Sequence, residues 1–226
     1  MYSDIDDNTI SELKDTDFTG CDIIALRCKI NDIGEIQIIK NQLKQILPQI
    51  NLPLMICGCG KDEIDSKLLP EIIKILDREC IISYATEQTY KKIIPHIIKG
   101  NHYIVLKTPI DINLAKELNI LSVEMGLKKE KIIMNTDIGG LGYGYEYGYS
   151  IMEKIRLEGE KGDEYLDLPL ISEASSEALK TKEAKTSDTQ GARMIELCAA
   201  SGVIAAGANI ITVSYPQNIK YLRGLI

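Results

Sequence analysis

KIIMNTDIGGLGYGYEYGYSIMEKIR, residues 131–156, is a strand, a loop and a helix in one reading frame. The apolar run KIIM is rich in isoleucine, as a strand buried on both faces requires. The apolar spacing from Ile151 to Leu157 repeats with helical period. Between them crowd Gly139, Gly140, Gly142, Gly144 and Gly148, interleaved with Tyr143, Tyr145, Tyr147 and Tyr149. Glycine permits positive φ and close backbone approach, and tyrosine offers a flat apolar face with a polar tip. A loop so costly to order is read as a binding loop rather than a connector. The bland alternative is a loop folded over its own structure.

Similar apolar runs recur on both sides of this unit. They are residues 22–29 (DIIALRCK), 52–59 (LPLMICGC), 80–84 (CIISY), 103–108 (YIVLKT), 131–135 (KIIMN), 168–172 (LPLIS) and 209–214 (NIITVS). Helical patterns fill the gaps at 35–47, 64–76, 89–99, 113–125, 150–161 and 192–206. Asp111 stands where it can cap the helix that follows. Pro95 marks a kink or a start within its helical stretch. Residues 174–191 are polar, helix-prone at first, and then loop-like at 186–191. Repeated β-then-α units imply a parallel α/β fold, either a (β/α) barrel or an open doubly wound sheet.

Neither GxGxxG after the first strand nor GxxxxGK[ST] occurs, so nucleotide-fold signatures are absent from the sequence. The distinctive residues instead follow the C-terminal ends of many strands: Gly58–Gly60, Thr86, Glu87, Gln88, Thr108, Pro109, the 136–149 segment, Glu173, Tyr215 and Pro216. Function spread around one rim is the habit of a barrel. A barrel-type unit over residues 1–226 is therefore expected, with 1–20 undefined and only seven strands visible.

The totals narrow the functional classes. With 226 residues, 45% hydrophobic and 26% charged, the chain reads as a soluble globular protein. It has one Phe and no Trp, so isoleucine and leucine must build the core. A net charge of −7 argues against a nucleic-acid partner held by a basic surface. No run approaches the roughly 18 apolar residues of a membrane span. The acidic start, MYSDIDDNTISELKD, is unlike a signal or transit peptide, so the cytoplasm is the expected location.

Six cysteines lie mostly in apolar runs and are expected to be buried thiols. Cys57 and Cys59 form a CxC pair, not the CxxC of zinc and redox sites. His96 and His102 have no histidine or carboxylate at ligand spacing, so no metal site is assigned.

The chain resembles the small (delta) subunit family of the corrinoid iron–sulfur protein in the acetyl-CoA decarbonylase/synthase system. The matching segments are PLMICGCG (53–60), YATEQTYKKII (84–94), KTPIDINLAKELNILSVEMGL (107–127), GGLGYGYEYGYSIMEKIRLEGEKGD (139–163) and LPLISEASSEALKTKEA (168–184), with a weaker VIAAGANI (203–210). The resemblance implies a TIM-barrel subunit that pairs with a larger one carrying the iron–sulfur cluster and cobalamin. It implies no cluster in this chain. It also implies methyl transfer between a methyl-tetrahydropterin and acetyl-CoA synthase, with methyltransferase and synthase as further partners.

Three departures stand out. The family has a longer N-terminal part containing the first barrel strand, which is read here as missing. DPxIG in the family is Asn135-Thr136-Asp137-Ile138-Gly139 here. The segment after 184 is shorter and lacks tryptophan.

Candidate cofactor-binding residues are Gly139, Gly140, Gly142, Tyr143, Gly144, Glu146 and Tyr147 on the loop. Glu87 and Gln88 after the third of these runs, and Asn113 after the fourth, join them. Glu146 and Arg156 are read as a polar pair or as solvated helix charges. Helix capping explains Asp111, and equally explains residues 87–88. Lys107 on its strand invites a Schiff-base reading, but its setting matches the present family rather than an aldolase. No DxHxxG pattern supplies a cobalt ligand, so tight corrinoid binding by this chain alone is not expected. No catalytic residue is assigned. The alternatives are a free-standing pterin-dependent methyltransferase barrel and a degenerate relative with a structural role.

Overall fold

The computed structural model describes residues 2–6, 9–137 and 139–225. These form eight strands: β1 (Tyr2–Asp4), β2 (Ile24–Arg27), β3 (Leu54–Cys57), β4 (Ile81–Ala85), β5 (Tyr103–Lys107), β6 (Ile132–Asn135), β7 (Ile171–Ser172) and β8 (Ile210–Ile211). Helices alternate with them: α1 (Thr9–Asp15), α2 (Ile36–Ile46), α3 (Asp62–Ile73), α4 (Tyr90–Gly100), α5 (Ile112–Glu124) and α6 (Tyr145–Glu160). Three helices, α7 (Ala174–Ala178), α8 (Lys182–Thr186) and α9 (Thr189–Ala205), lie between β7 and β8, and α10 (Ile219–Leu222) follows β8.

Strands β1 to β6 pair in parallel in chain order, and β7 pairs with β8. A parallel bridge between Met134 and Leu170 links the two ladders. Among the described residues no pairing joins β8 to β1. The architecture is TIM-barrel-like, as expected, but the strand count is corrected. The first strand, read as missing, is present: Tyr2, Ser3 and Asp4 register with Ala25, Leu26 and Arg27. Asp4 also accepts a hydrogen bond from Arg27 Nε at 2.6 Å. A three-residue polar strand escapes any apolar-run criterion, because its neighbour β2 supplies the pairing.

Alternation along the strands divides the core in two. Ala25, Met55, Cys57, Val105, Ile133 and Ile171 form the barrel interior. Leu26, Ile56, Ile82, Ile104, Leu106 and Ile132 face outward, where α2 brings Leu43, α3 Leu68 and α4 Ile93 and Ile97. Each such side chain is almost fully buried, which is worth about 1.5–3 kcal/mol apiece. Both faces being apolar explains why the strands read as continuous runs rather than as alternating ones.

The helices begin where the sequence provides caps. Asp111 accepts from the N–H groups of Asn113 and Leu114 at 2.9 and 3.0 Å. Asp188 accepts from Gly191 N–H at 2.7 Å, so α9 starts within the stretch expected to be loop. Pro95 lies inside α4, which continues to Gly100. No helix among the described residues is long and apolar enough to cross a membrane.

Candidate functional site at the barrel rim

The strands all point one way, so their C-terminal ends share one rim. Interior-facing positions at that rim turn from apolar to polar or charged. Val105 is followed two residues on by Lys107, Ile133 by Asn135 and Ile171 by Glu173. Lys107 Nζ lies 3.8 Å from Glu173 Oε2, with side chains 17% and 9% exposed. The same ammonium sits 4.6 Å from the centre of the Tyr84 ring, a cation–π contact. Burial pushes the Tyr84 hydroxyl pKa up, and Glu173 and Asp65 add to the shift.

Asp137 closes the β6 side of this cluster. Its Oδ1 accepts from Ser172 Oγ at 3.1 Å, and its Oδ2 accepts from the Glu173 N–H. Burial outweighs these hydrogen bonds and pushes its pKa up to about 7. Asn135 is fully buried; its Oδ1 accepts from Asp137 N–H at 2.9 Å, and its Nδ2 has no partner among the described residues. An unpaired amide donor beside a carboxyl that exchanges its proton near neutrality is a polar arrangement of the kind that fixes ligand orientation.

Across the rim, the CGCG turn after β3 wraps a second buried carboxylate. Asp65 accepts from Cys59 and Gly60 N–H groups, both at 2.8 Å. A Cβ on Gly58 would fall 2.5 Å from the Asp65 carboxylate, so only glycine fits there. This contact explains the CxC spacing without a ligand role. None of the six cysteines is in a disulfide among the described residues; Cys28, Cys57 and Cys80 are buried, and Cys198 is exposed. His102 is buried and accepts from Cys80 N–H through Nδ1 at 3.2 Å, a packing role as expected.

The glycine–tyrosine segment divides into a turn and a helix. Gly142 and Gly144 take φ of 76° and 103°, and α6 starts at Tyr145, earlier than the sequence spacing indicates. Tyr145 points inward, and its hydroxyl donates to Ala199 O at 2.9 Å. Tyr143 and Tyr147 are 54% and 60% exposed, so two of the four rings face solvent at the rim. Glu146 is exposed in the first turn of α6, where its charge suits the helix N-terminus. The expected Glu146–Arg156 pair does not form. Arg156 instead donates to Gly207 O at 2.8 Å and Leu168 O at 3.1 Å, tying the ends of β7 and β8 together.

Glu87 and Gln88 are exposed in the turn leading to α4, and Asn113 is exposed in the first turn of α5. They stand outside the Lys107–Glu173–Asp137 cluster rather than within it. Ile138 lies outside the described residues. Sequence reading put Lys107 on its strand and Glu173 and the segment containing Asp137 on the rim, without joining them. The signal that two of them point into the barrel was available: Lys107 and Glu173 each follow an interior apolar residue by two positions.

A sequence profile for the CO dehydrogenase/acetyl-CoA synthase delta subunit matches residues 3–213. This chain belongs to that family. The delta subunit of the acetyl-CoA decarbonylase/synthase complex from Methanopyrus kandleri is 27% identical over 177 residues, covering 77% of this chain and 44% of that protein. The Methanocaldococcus jannaschii subunit is 28% identical over 189 residues, covering 80% and 46%. The chain thus spans about half the length of the curated relatives it matches.

Solved dihydropteroate synthases share the fold of this delta-family chain. The Thermus thermophilus enzyme superposes with a TM-score of 0.70 at 11% identity, covering 99% of this chain and 90% of that one. A Xanthomonas albilineans enzyme in complex with 7,8-dihydropteroate gives 0.69 at 12% identity, covering 99% and 89%. Identity this low carries the barrel and nothing finer.

Proposed function

We propose that this chain acts in the cytoplasm as the small subunit of a corrinoid iron–sulfur methyl carrier in the reductive acetyl-CoA (Wood–Ljungdahl) pathway. It frames a corrinoid held mainly by a larger iron–sulfur subunit and positions methyl transfer between a methyl-tetrahydropterin and acetyl-CoA synthase. The observation that carries this reading is the outward pair at the rim, Tyr143 on the glycine-rich turn and Tyr147 in the first turn of α6. Exposed aromatic rings side by side at the rim suit a flat apolar macrocycle or the protein surface around it. The turn is held from behind by Tyr145 and by Gly140 against α7. Bound corrinoid supplies the methyl-accepting metal; this chain's residues orient and exclude water. Glu87, Gln88 and Asn113 then serve as the outer polar edge of the same rim. Co-expression with the large corrinoid subunit tests the reading: the two chains co-purify, and a chain that elutes alone contradicts it.

A second reading has an observation of its own. The unpaired Asn135 Nδ2 beside Asp137 offers a donor and a proton-exchanging carboxyl inside the barrel mouth. Pterin rings present complementary amide edges, and some of the dihydropteroate synthases that share this fold carry pterin compounds. On this reading the chain is itself a pterin-dependent methyltransferase barrel. Calorimetry with methyl-tetrahydrofolate separates the two: micromolar binding by the isolated chain favours the enzyme, and silence favours the subunit.

A further inference from the structure

Beside the glycine–tyrosine turn lies a cleft of about 520 Å³ that the rim reading leaves unused. Gly139, Gly140 and Tyr143 line it, as do Lys180, Lys182 and Lys185. Three lysines against one lining carboxylate, Glu177, run counter to a chain whose net charge is −7. Lys180 is paired with Glu177. Among the described residues Lys182 and Lys185 form no ion pair, and both are exposed.

Gly139 and Gly140 add backbone to the lining of the same cleft. Gly139 and Gly140 are buried, yet neither N–H donates to another described residue. Buried N–H groups seldom go unpaired. Side chains are barred at both positions. A Cβ on Gly139 would lie 2.2 Å from Tyr143 O, and one on Gly140 would lie 2.7 Å from Ala178 Cα. Glycine N–H groups with no partner among the described residues, together with ammonium groups lining the same cleft, are a means by which loops hold oxyanions.

We propose that this cleft binds the oxyanion-bearing tail of the ligand at the barrel rim. The inference rests on the rim reading above for the ligand's position, and on the cleft alone for its charge. The shared chemistry is phosphate or carboxylate oxygen. A corrinoid brings it as the phosphodiester of its nucleotide loop, and a tetrahydropterin as glutamyl carboxylates.

The test titrates inorganic pyrophosphate and tri-γ-glutamate separately into the full chain at low salt, by calorimetry. Saturable one-site binding of at least one probe is expected, about tenfold weaker in K182E/K185E and changed less than about twofold in K91E/K92E, two exposed lysines on α4. The neutral variant K182Q/K185Q, which removes the charge without reversing it, loses binding in the same direction. Tighter pyrophosphate binding assigns the phosphodiester, and tighter tri-glutamate binding assigns the pterin tail. No saturable binding of either, or equal losses in both lysine pairs, overturns the proposal. Neither probe contains a ring, so such a failure leaves the rim reading standing. Loss of partner co-purification with intact anion binding sinks the rim reading alone.

Discussion

Lys107 and Glu173, on β5 and just past β7, meet at 3.8 Å over the barrel interior. Both side chains are largely buried, so removing one strands the other's charge in a poorly solvated place. Lys107→Met is expected to lower the unfolding free energy by about 3 kcal/mol. The double variant Lys107→Met with Glu173→Gln should lose much less, because no lone charge remains. Urea unfolding of the four proteins of the cycle measures the coupling. Simple additivity would mean that the pair does not interact.

Asp137 makes stability depend on pH. Its pKa of about 7 in the fold compares with about 3.9 for an unfolded aspartate. The folded chain therefore binds the proton more tightly than the unfolded one between those values. This contribution is complete below pH ~4 and is lost as the pH rises through ~7. Asp137→Asn should remove it. The unfolding free energy of the wild type relative to the variant should fall with pH, at up to about 1.4 kcal/mol per unit in that window. A difference that is flat or rises with pH would contradict the assignment.

The turn's inner anchor is tight. A Cβ on Gly202 would fall 2.0 Å from the Tyr145 hydroxyl oxygen. Gly202→Ala should therefore cost about 2 kcal/mol by overpacking. Tyr145→Phe should cost about 1 kcal/mol, the worth of its bond to Ala199 O. Combining the two should relieve part of the overpacking, since the offending oxygen is gone. Thermal unfolding of the three variants checks both the sizes and the relief.

The outward tyrosines should behave in the opposite way. Tyr143→Ser and Tyr147→Ser are exposed changes and should alter stability by no more than about 0.5 kcal/mol. On the proposed function they weaken association with the large subunit by about 2 kcal/mol. Unfolding curves and a quantitative pull-down on the same preparations separate the two effects. Equal affinity for wild type and variants would remove these rings from the interface.

Much of this architecture was legible because a parallel barrel writes its strands as apolar runs. Strands β2 to β8 match runs named from sequence, β4 alone reaching one residue past its run, to Ala85. Strand β1 was not legible, since Tyr2–Asp4 is short and polar and is defined only by pairing with β2. The early start of α6 was hidden by Gly148, a residue that weakens a helical pattern but here is buried within the helix. The rim position of the glycine–tyrosine turn could be read directly. The meeting of Lys107 with Glu173 could not, because contact between strand ends two apart depends on barrel curvature. Arg156 illustrates the same limit: spacing suggested Glu146, but the tertiary fold presents it with the carbonyls of Leu168 and Gly207.

The central claim is that the rim turn meets a corrinoid-bearing partner. Hydrogen exchange of residues 139–149, followed with and without the large corrinoid subunit, tests it most directly. The account predicts that complex formation slows exchange in this turn and at the neighbouring strand ends, while the opposite end of the barrel, at Leu54 and Leu170, exchanges unchanged. Protection confined to that opposite end, or none anywhere, would contradict it.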